Sequence, residues 1–367
     1  MNSLYYENKL IIELCKLYSY DKDTINSFLC DNLNYAYVLG QLLYNRIGGT
    51  AYNILKQCDL LNKLNREFRN SLEIVYRYNC VWQDSYCRAL DMLFGMFDSL
   101  EISYALLKGA FLVNVYDKGI RTSNDVDILV NQNHISEITD ILKENRFLQG
   151  NTRGGKFTKA NRFEIISSRM NRGEIVPFIK EVDFPFLKYL EVDINFSLDY
   201  KSDISSDLIV KDFLDNTEKI IKTEKGYLPS LNKVYFFIQL CMHLYKEATT
   251  IDWVKMGRDV SLYKYMDIEV FVHKFFNKEF VKDLVRIVEN LELERECYYV
   301  LFYTKLLFGT TNENLEVALQ LLMPTESAYL CQIIDPKNQR LYRFKEDYID
   351  WIFLTNKMEN LYEVENG

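Results

Sequence analysis

Residues 104–131 read YALLKGAFLVNVYDKGIRTSNDVDILVN, and this stretch decides the fold. Tyr104 to Leu107 is a short apolar run that stops at Lys108-Gly109. Ala110 to Tyr116 has helical composition. Arg121 then opens a polar turn into Asp125-Val126-Asp127-Ile128-Leu129-Val130. Alternate side chains of a strand share a face, so Asp125 and Asp127 point one way, roughly 6–7 Å apart at their bases, and Val126, Ile128 and Val130 point the other. Two carboxylates that close repel by about 2–3 kcal/mol at an effective dielectric near 20. A cleft keeps such a pair when something positive sits between, and a hard divalent cation with oxygen ligands suits the role. The competing reading is a half-exposed edge strand with two solvated acids. Gly109, at a strand-to-helix turn, favours the first reading, because glycine lets backbone N–H groups approach an anion closely.

Working outward, strand-like runs occur at Ser103–Leu107, Asp125–Val130, Arg162–Ser167 and Leu190–Phe196, with helical patterns at Ala110–Tyr116 and His134–Asn145. Strands alternating with helices predict a small core with a mixed sheet over residues 99–200. Asn151–Lys156 (NTRGGK) reads as a loop or hairpin tip. Residues 1–98 read as an N-terminal helical domain, with amphipathic runs over Ala51–Tyr78 and Ser85–Leu100. Residues 201–367 read as a C-terminal helical domain, including helices over Leu231–Tyr245, Val254–Tyr265 and, last, Gln339–Asn356. The fold class is therefore α+β, a small mixed-sheet core flanked by helical domains.

The composition agrees with this plan. A chain of 367 residues exceeds what one hydrophobic core usually serves, and 48% apolar residues exclude disorder. Only 14 Gly and 5 Pro argue for helices with short connections over a many-stranded sandwich. A net charge of −8 argues against long nucleic acid as partner but permits a nucleotide with bound metal. The eight cysteines form no C-x-x-C pair and read as reduced core thiols, which predicts a cytoplasmic protein. The N-terminus lacks a basic region before an apolar core, and no run reaches 18 apolar residues, so neither a signal peptide nor a membrane span is expected.

LLKGAFLVNVY followed by R-T-S-N-DVDILV resembles the nucleotidyltransferase superfamily with the polymerase-beta-like fold. More narrowly, it is similar to a poorly characterised nucleotidyltransferase family, found largely in bacteria, that carries L-K-G and R-x-x-x-D-h-D-h-L-V motifs. Lys108-Gly109 matches the first motif, and Arg121, Asp125 and Asp127 match the second. The resemblance implies a third acid in an h-D-h-H/N-h strand, and Val192-Asp193-Ile194-Asn195-Phe196 matches, with Asn195 where family members often carry His. Asp183, in the related Glu181-Val182-Asp183, is the rival; Pro185 makes that copy the poorer central strand. By the same resemblance Asp125, Asp127 and Asp193 are the catalytic acids and ligands of Mg²⁺, with Mn²⁺ as the alternative. Lys108, Gly109, Arg121 and Lys246 would contact the nucleotide phosphates. Lys246 is carried over with His243 from a C-terminal helix of the family. The superfamily loop usually reads Gly-Ser or Gly-Gly, whereas this chain has Gly109-Ala110 and lacks the hydroxyl. The implied reaction moves a nucleoside monophosphate from an NTP such as ATP to a small-molecule, peptide or protein acceptor and releases pyrophosphate. The alternatives are an inactive nucleotide-binding or interaction module of the same fold, and a toxin- or antitoxin-like enzyme that modifies protein or tRNA.

Overall fold

The structure, a computed structural model, describes residues 4–29, 32–171, 173–198 and 204–364. The chain divides into two compact units, one of residues 74–236 and one of residues 1–73 with 237–367.

The 74–236 unit is built on an eight-stranded mixed sheet. Its strands are β1 (Tyr104–Leu106), β2 (Asp125–Val130), β3 (Leu148–Arg153), β4 (Lys156–Lys159), β5 (Phe178–Phe184), β6 (Leu187–Asn195), β7 (Thr217–Lys222) and β8 (Tyr227–Leu231), in the order β4-β3-β5-β6-β2-β1-β8-β7. β2 runs parallel to β6, and β1 parallel to β8; the other neighbours are antiparallel. Val126, Ile128 and Val130 of β2 and Val192 and Ile194 of β6 are fully buried, as the alternation in each strand requires. The opposite face of the same two strands carries the acids.

Several expectations change here. Arg162–Ser167 is not a strand but the start of a helix, Arg162–Asn171. Asn161 caps it: its Oδ1 accepts the Glu164 N–H at 3.0 Å, and the Glu164 carboxylate accepts the Asn161 N–H at 2.8 Å. This reciprocal pair is a capping box, and it outweighs the β-branched Ile165-Ile166 that suggested a strand. Strands β7 and β8 lie in a region expected to be helical. The helical run after Gly109 is shorter than expected, Gly109–Leu112, and passes into turns. In place of two amphipathic runs over 51–78 and 85–100, helices cover Gly48–Gln57 and Arg66–Phe97; no break occurs near residue 80.

The other unit is mainly helical, with a small antiparallel sheet of β9 (Gln332–Asp335), β10 (Arg340–Phe344) and β11 (Leu361–Val364). A helix over Val254–Tyr265 does not form. Helices Ile251–Lys255 and Leu262–Phe275 flank Gly257, whose φ of +63° ends the first of them. The expected last helix over Gln339–Asn356 is instead β10 followed by a short helix, Tyr348–Phe353. Asp335 folds the preceding turn by accepting from the Lys337 N–H at 3.0 Å and from Asn338 Nδ2 at 3.0 Å, which returns the chain as a hairpin. In the same unit Lys357 is buried against Asp259, with Nζ 2.9 and 2.7 Å from the two carboxylate oxygens, and so ties down the chain between β10 and β11. No helix among the described residues is long and apolar enough to cross a membrane.

Candidate active site

The site begins with strand register. In the parallel pair of β2 and β6, Asp125 lies opposite Glu191 and Asp127 opposite Asp193. Neighbouring strands are about 4.8 Å apart and side chains alternate, so these four acids form a compact square on one face of the sheet. Asn195 continues the row, and its Nδ2 donates to Asp127 Oδ1 at 3.4 Å. Asp183 sits elsewhere: it is exposed near the turn between β5 and β6, past a register irregularity. Register therefore places Asp193, and not Asp183, beside the pair.

Lys108 answers part of this charge. Its Nζ is 2.7 Å from Asp127 Oδ1, and Asp127 is buried. Burial alone would lower the Lys108 pKa. The pull of Asp127, then Asp125, the hydrogen bond to Asp127 and finally Asp193 outweigh burial, so the ammonium is held above its ordinary range and stays charged. The backbone at Lys108 has φ +46°, a conformation rare for a lysine, and it occurs at the turn that hands the chain from β1 to Gly109. The acids show the converse. Burial first, then Asp127, Asp125, Glu191 and Glu174, push the Asp193 carboxyl well up. Burial, Asp125 and Asp127 push Glu191 up as well.

Gly109 has a steric reason to be glycine. A Cβ there would stand 2.0 Å from Ser123 Oγ and 2.3 Å from Ser123 Cβ. Ser123 thus brings a hydroxyl against Gly109 from the other side of the loop. Ser123 Oγ also approaches Asp125 Oδ1 at 3.3 Å.

The Arg66–Phe97 helix holds the segment between Gly109 and Asp125 in place. From residue 79 on, it offers polar groups at successive turns to the loop's main chain. Asn79 Nδ2 donates to the Gly119 carbonyl at 3.2 Å, and Gln83 Oε1 accepts the Gly119 N–H at 2.9 Å. Trp82 Nε1 donates to the Ser123 carbonyl at 2.7 Å, and Tyr86 Oη to the Asp125 carbonyl at 2.9 Å. Gly119 has φ +86°, and a Cβ on it would press on Cys80 and Tyr76 of the helix at 2.7 Å. Arg121 is buried in the crevice between the helix and the turn, beside Trp82, Gln83, Tyr86 and Gly109, and its guanidinium donates to the Thr122 carbonyl. Burial, with Asp125 and Asp127 nearby, raises the Tyr86 phenol well above its usual range, so it remains a neutral donor. Tyr86→Phe is expected to cost about 0.5–1.5 kcal/mol of stability, because it removes one hydrogen bond to the Asp125 carbonyl, which Ser123 Oγ also approaches at 3.4 Å; a shift in the urea midpoint measures this. An unchanged midpoint would mean that the helix does not hold the β2 strand through this bond.

Six of the residues singled out from sequence, Lys108, Gly109, Arg121, Asp125, Asp127 and Asp193, lie together in the 74–236 unit. Lys246 lies in the other unit, near the end of the Lys233–Thr249 helix, where its carbonyl accepts from Thr250 Oγ1 at 2.6 Å. On the same helix, His243 Nε2 is 3.3 Å from Glu247 Oε1. Sequence reasoning named Asn195 only as part of the third-acid strand, and missed Glu191, Ser123, Trp82 and Tyr86. For Glu191 and Asn195 the signal was present, since both lie two residues from Asp193 in a strand and so share its face.

By donor chemistry these residues suit a hard divalent cation: carboxylate oxygens crowd one face, and Lys108 offsets one of their charges. Among the described residues no three His, Cys, Asp or Glu side chains stand close enough to hold a metal as they are. Asp127 is turned to Lys108 instead.

A family described as an uncharacterised nucleotidyltransferase matches residues 34–309 of the chain. No curated protein matches. Among solved structures, the chain is similar to an antigenic nucleotidyltransferase-like protein from Paracoccidioides brasiliensis, with 16% identity, 58% of this chain and 92% of that chain covered, and a TM-score of 0.32.

Proposed function

Because this chain belongs to the uncharacterised nucleotidyltransferase family, whose pattern spans residues 34–309, we propose that it transfers a nucleoside monophosphate from an NTP to an acceptor. The observation that carries this reading is the in-register pairing of Asp127 with Asp193 on parallel strands, with Lys108 at the same place. An oxygen of the acceptor attacks the α-phosphorus, the bond from that phosphorus to the bridging oxygen breaks, and pyrophosphate leaves. Asp125, Asp127 and Asp193 would hold Mg²⁺ or Mn²⁺, which neutralises the phosphate charge and orients the reacting oxygens. Asp193 takes the acceptor's proton, as a carboxylate beside Asp127 on the neighbouring strand. Lys108 and the loop at Gly109 contact the triphosphate, and Ser123 supplies the hydroxyl beside that loop. Arg121 braces the turn and adds positive potential. The acceptor is a small molecule, peptide or protein, and the net charge of −8 speaks against long nucleic acid.

A second reading, a nucleotide-binding module without turnover, draws support from the Lys108–Asp127 ion pair and from the lack of a ready-made cage. One experiment separates the two. The full chain is incubated with Mg²⁺ and each α-labelled NTP, with and without candidate acceptors. Label moving to an acceptor with pyrophosphate release supports the transferase. Nucleotide binding without release supports the module.

The crowding of acids makes a further prediction. In metal-free buffer Asp193→Asn is expected to raise stability by about 1 kcal/mol, since it removes a charge disfavoured by burial and by Asp127 and Asp125, while abolishing transfer. Thermal unfolding checks the first part. A stability loss would mean that Asp193 is held by partners and not crowded.

A further inference from the structure

One region of the 74–236 unit takes no part in the acid centre, yet carries three features that call for a partner. The first is an apolar stripe. On the Arg162–Asn171 helix, Phe163, Ile166 and Met170 fall at i, i+3 and i+7, so they share one face. They are 78%, 47% and 71% exposed. The second is charge. Lys156, Lys159, Arg162 and Arg169 are exposed, and among the described residues none of them is ion-paired, in a chain whose net charge is −8. Arg153 of the same hairpin is paired to Glu164, 3.2 Å away, which joins the hairpin to the start of the helix. The third is an open edge. β4 ends the sheet, and no further strand among the described residues pairs with it.

Lysines on an edge strand commonly guard it against aggregation, so the cations alone would need no partner. The apolar stripe is different, because it leaves three large side chains on one helix face open to water. A polyanionic RNA would use the cations and one aromatic ring but leave Ile166 and Met170 in water. An anionic membrane would use the cations and the stripe but leave the strand edge unpaired. An acidic polypeptide with apolar anchors uses all three, through charge complementarity, side-chain docking and main-chain pairing.

We infer that the β3–β4 hairpin and the Arg162–Asn171 helix form the docking surface for an acidic polypeptide that carries the acceptor group. This rests on the transferase reading above and narrows its acceptor to a peptide or protein. The order β4-β3-β5-β6 puts β4 three strand spacings, about 14 Å measured across the sheet, from β6, the strand of Asp193. An extended segment of roughly four to five residues spans that distance.

The test uses the full chain and a short fluorescent peptide of glutamates with leucines at every third or fourth position. A matched peptide with glutamine for glutamate, bulk tRNA, and vesicles one-third phosphatidylserine are the comparison probes. The acidic peptide is expected to bind in a fluorescence anisotropy titration. Binding is expected to weaken at least about tenfold, or about 1.4 kcal/mol, with the glutamine peptide, with Lys156→Glu/Lys159→Glu, and with Phe163→Ser/Met170→Ser. Circular dichroism verifies that the variants fold, as substitutions at exposed positions should. No binding, equal binding by the variants, or a preference for tRNA or vesicles overturns the proposal. Pyrophosphate release is read separately, with Mg²⁺, each NTP and the candidate acceptors but without the fluorescent peptide. If that fails while the peptide binds as expected, the transferase reading falls and the docking surface stands.

Discussion

Asp127→Asn is expected to reduce nucleotidyl transfer by at least about a thousandfold while leaving the protein folded. Asp127 is buried, sits opposite Asp193 in the parallel ladder, and receives Lys108 Nζ at 2.7 Å and Asn195 Nδ2 at 3.4 Å. It is thus the acid where the strand register, the lysine and the neighbouring asparagine meet. The amide keeps the size of the side chain but removes the charge, so a cation and a triphosphate lose their shared anchor. Lys108 would lose its ion-pair partner but keep Asp125 and Asp193 nearby, which limits the damage to the fold. The rate is read as pyrophosphate release, and the fold by circular dichroism and the urea midpoint. Activity within tenfold of wild type would mean that the chemistry lies elsewhere.

The second large effect is steric. Gly109→Ala places a methyl group 2.0 Å from Ser123 Oγ and 2.3 Å from Ser123 Cβ. Ser123 cannot easily give way, because its carbonyl accepts from Trp82 Nε1 at 2.7 Å and its hydroxyl approaches Asp125. The loop and β1 must therefore spread, at a cost of about 2–4 kcal/mol. Asp125 moves with the loop, so transfer should fall as well. Ser123→Gly removes both colliding atoms. The double variant Gly109→Ala/Ser123→Gly should therefore regain most of the stability, a coupling that a double-mutant cycle measures directly. Purely additive losses would show that Gly109 is needed for some reason other than the closeness of Ser123.

Much of this site was legible in the sequence. The D-x-D strand, the later Val192–Phe196 strand and the Lys108-Gly109 stop are local patterns, and local patterns survive folding. Asp193 could be preferred to Asp183 because Pro185 spoils the first copy as a central strand. The structure adds register, which puts Asp193 beside Asp127 and leaves Asp183 exposed near a turn. What stayed hidden was long-range. Trp82 and Tyr86 reach a loop about forty residues on, and nothing in a helix's own sequence tells which main-chain groups it will meet. Ser123 packs against Gly109 across the loop, a contact between residues fourteen apart that no local pattern shows. Arg162–Ser167 misled because two isoleucines outweighed a capping box whose Asn161 and Glu164 were both visible. Strands β7 and β8 were missed because their surroundings are helical; they pair with each other as a hairpin, and only β8 reaches a distant strand, β1.

The central claim is that Asp125, Asp127 and Asp193 form one metal–nucleotide centre. Mn²⁺ binding followed by electron paramagnetic resonance, with and without an NTP, tests it most directly. The account predicts that wild-type protein binds Mn²⁺ more tightly when the nucleotide is present, and that Asp127→Asn and Asp193→Asn each lose this binding. Mn²⁺ and nucleotide binding by both variants at wild-type strength would contradict it.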